Sequence, residues 1–570
     1  MRFSTVCWLA AAALTVAGCG GGSTSTKTPP PVAPTVTSVT PANNATAVAV
    51  NSPVTATFSE AMNVSTISGS TFTLTGPGSA SVAGSVTYNA GTSTATFAPN
   101  AALANSTTYT ATITTGATSS TGAALASNYM WSFTTAGGTV QAGQVTVDFG
   151  TTYQTIRGFG GSTAWQGAMS SAQAAALFSQ TNGLGLSILR VRIDPEGSAS
   201  STPPYVTGEW SQELTNATEA QSANPNAMVF ASPWTPPPSM KTSSTSQPYY
   251  SGSPACSPTA PSGESYCGGY LNPSSYAAYA SYLEDFVTYF QSNGVSLYAI
   301  SMQNEPDYSA ESGQNYESCS WTAQQMDTWV ASLTANAATN PITTKLIMPE
   351  SFQFNPAQAA TTLEDPNAVD NVSIVGGHLY GVSPSPYPFP QGVSKDLWMT
   401  EHFLTPANSS SPVIGDAVQM AEEIHNSMVT GQYNAYVWWG ILGVTTDVGN
   451  WGLISSSATP TYYGYAIGQF SQFIQPGFVR ASATASPTSG VYFSAYKNPG
   501  GGSYHYVIVG INANTNAESV SFTINNGTVT SMTPYATTAT GGLAPQTSIG
   551  VSNGQFNYTL PAQSIVSFVQ

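Results

Sequence analysis

The sequence predicts a multidomain chain organised round a (β/α)8 TIM barrel, with a β-sandwich side domain attached to the barrel and a further β-sandwich ahead of it. Three observations carry that expectation. Residues from about Pro34 to Thr135 are rich in Thr, Val, Ala and Ser and run in short alternating stretches, the signature of an all-β domain. From Val145 to about Pro476 strand-like apolar runs alternate with helical stretches, which points to a parallel barrel. Beyond Pro476 the alternating β pattern returns. With 570 residues, the chain has room for two or three domains.

Taken in order, the first element is an export signal. Arg2 precedes an apolar run from Val6 to Val16, and Val16-Ala17-Gly18-Cys19 matches a bacterial lipobox. Residues 1–18 therefore read as a lipoprotein signal peptide, Cys19 as the lipid-carrying mature terminus and 19–33 as a flexible tether. The expected location is outside the cytoplasm, as a cell-envelope lipoprotein of the outer membrane or cell surface, or extracellular. Contact with a membrane is expected only through that lipid.

The β-sandwich of residues 34–137 rests on runs such as Val54-Thr55-Ala56-Thr57-Phe58 and Thr108-Tyr109-Thr110-Ala111-Thr112-Ile113, and a Gly-rich joint follows at Ala136-Gly137-Gly138. Within the barrel region, residues 151–476, Gly183 to Arg192 and Met228 to Ser232 read as strands. Ser275 to Gln291 reads as a helix that places Tyr279, Tyr282, Leu283, Phe286 and Phe290 on one face. The long loop from Thr235 to Tyr270 is expected over the barrel mouth. In the last segment, 477–570, Tyr504 to Val509 and Ser564 to Val569 are strand signals separated by Gly and Asn turns.

Composition narrows the chemistry. Only 6% of residues are charged, and ten Lys and Arg against 26 Asp and Glu give a net charge of −16. No basic stripe exists for nucleic acid, so a neutral or weakly charged partner fits better. Cys256, Cys267 and Cys319 allow one disulfide and leave one thiol; Cys256 and Cys267 share a loop, Cys319 is a rival partner, and spacing does not choose between them. No Cys and His spacing suits zinc or haem, so neither a catalytic metal nor another cofactor is expected.

In so charge-poor a chain, two carboxylates stand out. Gln303-Asn304-Glu305-Pro306 follows the apolar run Ser296 to Met302, and Met399-Thr400-Glu401-His402 follows Lys395 to Thr400. Each places a glutamate where a strand ends, the position at which barrels mount their reacting groups. A strand-end pair of this kind suits glycoside hydrolysis, in which one carboxylic acid protonates the leaving oxygen while a carboxylate acts as nucleophile or base.

A set of strings supports a family. Gly158-Phe159-Gly160-Gly161-Ser162, Ala231-Ser232-Pro233-Trp234-Thr235-Pro236-Pro237, Gln303-Asn304-Glu305-Pro306, His378-Leu379-Tyr380-Gly381, Met399-Thr400-Glu401-His402 and Ala435-Tyr436-Val437-Trp438-Trp439 occur in that order. Together they resemble glycoside hydrolase family 30, and the last two resemble its glucuronoxylanase branch more than its glucosylceramidase branch. The stretch Val39 to Pro53, with Phe58-Ser59-Glu60-Ala61-Met62 and Trp131-Ser132-Phe133-Thr134-Thr135, resembles the bacterial Ig-like domain of surface enzymes and implies a spacer.

The family resemblance implies retention of anomeric configuration, with Glu305 as acid/base and Glu401 as nucleophile. It also implies that the side domain joins residues 143–150 to 477–570. The expected activity is a retaining endo-β-1,4-xylanase acting on xylan or glucuronoxylan as a monomer. A β-glucanase or glucosylceramidase-like enzyme of the same family, and a non-catalytic carbohydrate-binding surface protein, are the alternatives. One departure matters. Members of this branch that depend on glucuronate carry an arginine after the Trp-Trp strand, whereas here the matching stretch is Thr461-Tyr462-Tyr463-Gly464-Tyr465, and no Arg or Lys lies between Trp438 and Val479. Strict dependence on glucuronate is therefore not expected.

Further residues are candidates for the site. Asn304 precedes the acid and is placed to donate to a sugar 2-hydroxyl. Arg190 and Arg192 alternate on one strand and share a face; they are expected to hold a carboxylate, with Glu401 one candidate and a structural pairing with Asp194 or Glu196 the other. His378 is a strand-end candidate from its motif. Trp165, Trp234, Tyr380 and Trp439 are candidates for stacking on sugar faces, and Trp438, opposite Trp439 on its strand, is expected to pack in the core.

Overall fold

The computed structural model describes residues 32–570 apart from 105–106, 137–142, 196–207, 251–264, 309–315, 336–343, 408–410, 444–450 and 501–503. The export signal, Cys19, most of the tether, Glu196 and Cys256 lie outside the described residues. The chain divides, between residues 139 and 140, into two compact units. No helix among the described residues is long and apolar enough to cross a membrane.

The first unit pairs two four-stranded sheets. One orders Val36–Thr40, Val54–Phe58, Thr94–Pro99 and Gly84–Asn89; the other orders Ala45–Val48, Tyr129–Thr135, Thr108–Ile113 and Phe72–Thr75. Alternation in sequence becomes alternation in burial, so that Val54, Ala56 and Phe58 point inward to meet Phe97, Ile113, Trp131 and Phe133 in one core.

In the second unit eight parallel strands close a barrel: Gly158–Ser162, Ile188–Ile193, Met228–Pro233, Ala299–Ser301, Lys345–Ser351, Val372–His378, Asp396–Glu401 and Ala435–Gly440. Strands covered by helices outside and filled inside have no solvent face, and all six residues of Ile188–Ile193 are buried. The barrel interior is filled by Ile188, Phe230, Ala299, Ile347, Ile374, Trp398, Ala435 and Val437. Outside it, the helix Tyr276–Ser292 buries Tyr279, Tyr282, Leu283, Phe286 and Phe290, as its spacing predicts.

The strand expected from Gly183 begins only at Ile188. Gly185 has φ +71°, and a Cβ there would lie 2.7 Å from Gln472 Cα. A close approach in left-handed backbone thus replaces the first half of the expected strand.

The side domain is a ten-stranded sheet in which Gln144–Thr155 runs parallel to Glu518–Asn525 and antiparallel to Val479–Ala483. Its core gathers Val145, Val147, Phe149, Phe493, Phe522, Phe556 and Phe568. It is fixed to the barrel through the helix Tyr462–Ser471, where Gln469 donates to Thr537 Oγ1 at 2.9 Å and accepts from Ser567 through its carbonyl at 2.6 Å. Cys267 is disulfide-bonded and Cys319 is a free, buried thiol, which removes Cys319 as the partner.

Candidate active site

Glu401 is the last residue of the seventh barrel strand, and Glu305 lies four residues past the end of the fourth. Each is 5% exposed. A carboxylate oxygen of one lies within 4.8 Å of a carboxylate oxygen of the other. Glu305 sits in left-handed backbone at φ +45°, and its N–H donates to the Glu350 carbonyl at 3.0 Å. That turn and bond set the direction in which the Glu305 side chain leaves the backbone.

Arg190, wholly buried on the second strand, joins most of the site. It donates through Nη1 to Glu401 Oε2 and through Nη2 to Asn304 Oδ1 at 2.6 Å. Nη2 also lies 3.0 Å from Glu350 Oε1, and Nε donates to Ser232 Oγ at 3.2 Å. Tyr380 donates its hydroxyl to Glu401 Oε1 at 2.7 Å. Glu401 thus receives a donor on each oxygen, one of them cationic, an arrangement suited to an anion.

His378 ends the sixth strand, and its Nδ1 lies 2.8 Å from Glu305 Oε1. Burial pushes the Glu305 carboxyl up to about 7 against the pull of His378 and Arg190, with the charge of Glu401 adding to the rise. For His378, burial favours the neutral ring, but Glu401, Glu305 and Glu350 outweigh it and hold the imidazole protonated up to about 10. Glu305, His378 and Glu401 form the one cluster with metal-ligand spacing among the described residues. Their ligand atoms are already engaged with one another and with Arg190 and Tyr380.

Trp165, Trp234 and Trp439 form an aromatic cluster beside Arg190. Their ring centroids are 4.7 Å (Trp165 to Trp234), 6.0 Å (Trp165 to Trp439) and 5.8 Å (Trp234 to Trp439) apart. Trp234 is buried over the Arg190 guanidinium at 4.5 Å, whereas Trp165 is 42% exposed and offers its ring to solvent. Trp438 turns the other way, donating Nε1 to the Trp451 carbonyl at 2.8 Å and packing on Tyr463 at 5.0 Å.

Arg192 does not join Arg190 at the glutamates. It pairs with Glu317 at 2.5 Å and Asp194 at 3.3 Å, and its guanidinium lies 4.9 Å from the Trp165 ring. Two residues further along a strand is about 6.6 Å higher, which lifts Arg192 out of the layer that contains Glu401 to the level of the loops.

Comparison with known proteins fits this geometry. Residues 209–388 match the glycosyl hydrolase family 30 TIM-barrel domain, and residues 31–135 match a bacterial Ig-like domain. A glucuronoxylanase of Bacillus subtilis (strain 168) is 36% identical over 436 residues, covering 75% of this chain and 92% of the relative. The chain belongs to glycosyl hydrolase family 30. It is a glycoside hydrolase. Among solved family 30 structures, the subfamily 8 xylanase of Clostridium acetobutylicum aligns with TM-score 0.63 and 40% identity, over 75% of this chain and 99% of that one. An endoxylanase of Clostridium papyrosolvens C71 aligns with TM-score 0.62 and 38% identity, over the same shares.

This family 30 site also contains groups that the sequence reading passed over. Glu350, at the end of the fifth strand, accepts the Ser232 hydroxyl at 2.9 and 3.1 Å. Its context, an apolar strand followed by Pro349-Glu350-Ser351, repeats the strand-end pattern that singled out Glu305 and Glu401. Glu317 and Glu213 carried no such signal. Glu213 lies within the helix Gly208–Ala223 and reaches the second strand from outside, accepting from Thr163 Oγ1 at 2.7 Å and from Asn216 Nδ2 at 3.1 Å. Burial pushes its carboxyl up to about 7, and its bond from Thr163 anchors the turn ahead of Trp165 through a group without sequence periodicity.

Proposed function

We propose that the protein is an exported endo-β-1,4-xylanase that cleaves xylan with retention, through Glu401 as nucleophile and Glu305 as acid/base. The observation that carries this is the separation of the carboxylates, within 4.8 Å at their nearest oxygens. It suits the roughly 5 to 5.5 Å of double displacement and leaves no room for the attacking water of an inverting site, where roughly 6.5 to 9.5 Å is needed. The substrate class rests on the xylanases among the similar proteins.

In the first step a Glu401 oxygen bonds to the anomeric carbon as the glycosidic C–O bond breaks, and the Glu305 proton passes to the departing oxygen. With His378 holding Oε1, the Glu305 proton sits on Oε2, facing the substrate. In the second step Glu305, now ionised, takes a proton from water, whose oxygen bonds to the anomeric carbon and frees Glu401. Asn304 has its side-chain oxygen engaged by Arg190, which leaves its amide N–H groups as the donors for the 2-hydroxyl. Trp165 and Trp439 are the sugar-stacking surfaces, with Trp234 supporting them over Arg190.

The stretch from Trp438 to Val479, where a cation that grips a glucuronate branch would stand, contains no Arg or Lys. Thr461 caps the helix that follows it, Tyr463 is buried on Trp438, and Tyr462 donates to the Ala539 carbonyl at 2.8 Å. Reducing-sugar release from unbranched xylan and from glucuronoxylan tests the reading. Rates within a few-fold of each other are expected, with none on a β-1,6-glucan. Cleavage confined to the branched polymer would overturn the relaxed specificity, and cleavage confined to the glucan would overturn the substrate.

Lipid attachment at Cys19 belongs to the same proposal and rests on the string Val16-Ala17-Gly18-Cys19. Mass spectrometry of the mature N-terminus is expected to find a diacylglyceryl cysteine, and Cys19→Ala is expected to release the enzyme from the membrane fraction. An unmodified terminus downstream of Cys19 would contradict it.

A further inference from the structure

Glu350 has no part in the double displacement, yet its side chain is more enclosed than either reacting carboxylate. Four barrel strands converge on it. Arg190 of the second strand lies 3.0 Å away, Ser232 of the third donates its hydroxyl, Ser301 of the fourth faces it, and His378 of the sixth places Nε2 at 3.8 Å. Burial alone would favour the acid, but Arg190, His378 and Ser301 outweigh it and hold the group below the usual glutamate range. Glu350 is therefore an anion, and beyond His378 stand Glu305, Glu401 and Tyr380.

Such an anion fixes the charge balance of the pocket. With Glu305 protonated and Glu401 ionised, Arg190 and protonated His378 balance Glu350 and Glu401, and the enclosed pocket sums to zero. After the first step Glu401 is a neutral ester and Glu305 has given up its proton, so the same two cations balance Glu350 and Glu305. Negative charge moves from one reacting glutamate to the other while the total stays fixed. Without Glu350 the pocket would carry an uncompensated positive charge in both states, which a buried site relieves by shedding a proton.

We propose that Glu350 is a positioning residue that sets the proton inventory of the active site: its fixed charge keeps His378 an imidazolium and lets Glu305 hold its proton while Glu401 is ionised. The inference rests on the double-displacement reading above. Its sign follows from electrostatics, since removing a neighbouring anion lowers the pKa of both His378 and Glu305 and brings forward the loss of the acid as pH rises.

Profiles of kcat/KM against pH for wild type, Glu350→Gln and Glu350→Asp provide the test, on whichever β-glycan the wild type cleaves. Gln keeps the shape and the backbone bond to Glu305 but loses the charge; Asp keeps the charge. The alkaline limb of Glu350→Gln is expected to move toward acid by about one to two pH units, with activity recovering at low pH, whereas Glu350→Asp keeps the wild-type limb. Coincident limbs for Gln and wild type would overturn the proposal, as would an Asp limb displaced as far as the Gln limb.

Nitrogen NMR of His378 in the wild type provides a second measurement that needs no variant and is read against only three other histidines, since the chain holds four. An imidazolium persisting above pH 8 is expected, and a neutral ring at pH 7 would overturn the proposal. A wild type inactive on every β-glycan would instead count against the double displacement, with the His378 titration still deciding the charge state.

Discussion

Glu401→Gly is expected to slow xylan cleavage on the order of 10⁴-fold or more, because it removes the group that forms the covalent bond. The space it leaves lies beside the Arg190 guanidinium, which donates to the Glu401 carboxylate in the wild type, so a small anion such as azide can occupy it. From there azide attacks an activated aryl xyloside on the face Glu401 used, giving a glycosyl azide of inverted configuration. Glu305→Ala behaves differently. Loss of general-acid assistance costs about 10²- to 10⁴-fold on xylan, but a leaving group that needs no proton is still expelled. The glycosyl-enzyme then accumulates for want of a base. Azide intercepts it from the other side, and the product has retained configuration. The anomeric configuration of the two azides, read by proton NMR, is thus the measurement, and finding the same configuration from both variants would sink the assignment of roles. In the wild type, activity that depends on protonated Glu305 is expected to fall as pH rises through about 7, where burial places that carboxyl.

Why those two glutamates were legible, and others were not, follows from what periodicity records. A carboxylate at the end of an apolar run in a chain with 6% charged residues is conspicuous, and Glu305 and Glu401 both stand there. Arg190 was legible for a related reason, as a cation inside a fully buried strand that needs an anion. Arg192 shares its face but not its layer, and Glu317, its partner, comes from a distant loop that no local pattern connects to the second strand. Glu350 has the same strand-end context as the reacting pair. The pattern therefore marks Glu350 as well, and only its enclosure by four strands, which no local sequence encodes, separates its place from theirs. Fold elements divide in the same way. Alternation at Val54–Phe58 translates directly into burial, whereas Leu184 and Leu186 are buried yet lie outside any strand, because Gly185 takes a positive φ that hydrophobicity does not encode. Local patterns fix which face of an element is apolar, and long-range pairing decides which polar groups meet.

Arg190→Met is expected to produce the largest loss of stability of any single change in the barrel. Glu350 and Glu401 would both lose their nearer cation, with only His378 at 3.8 Å left to each, and removing one partner of a buried ion pair costs about 3 to 5 kcal/mol. Asn304 and Ser232 lose a donor at the same time. The carboxylates in the Met variant can relieve the cost only by taking up protons, so the folded-state pKa of Glu350 rises above its unfolded value. A buried acid shifted in that direction destabilises the fold above its folded pKa, and the cost fades as pH falls toward the unfolded value of about 4.3. The deficit relative to wild type is therefore expected to be larger at pH 8 than at pH 5. Arg190→Lys keeps one charge but loses the planar fork that reaches Glu401, Asn304 and Ser232 together, and an intermediate loss is expected. Adding Glu350→Gln to Arg190→Met removes one orphaned anion and is expected to restore part of the stability, so that the double variant loses less than the sum of the two single losses. Urea unfolding followed by tryptophan fluorescence at the two pH values measures all of these. Equal deficits at pH 5 and pH 8, or strictly additive single and double variants, would mean that the guanidinium acts through packing rather than charge.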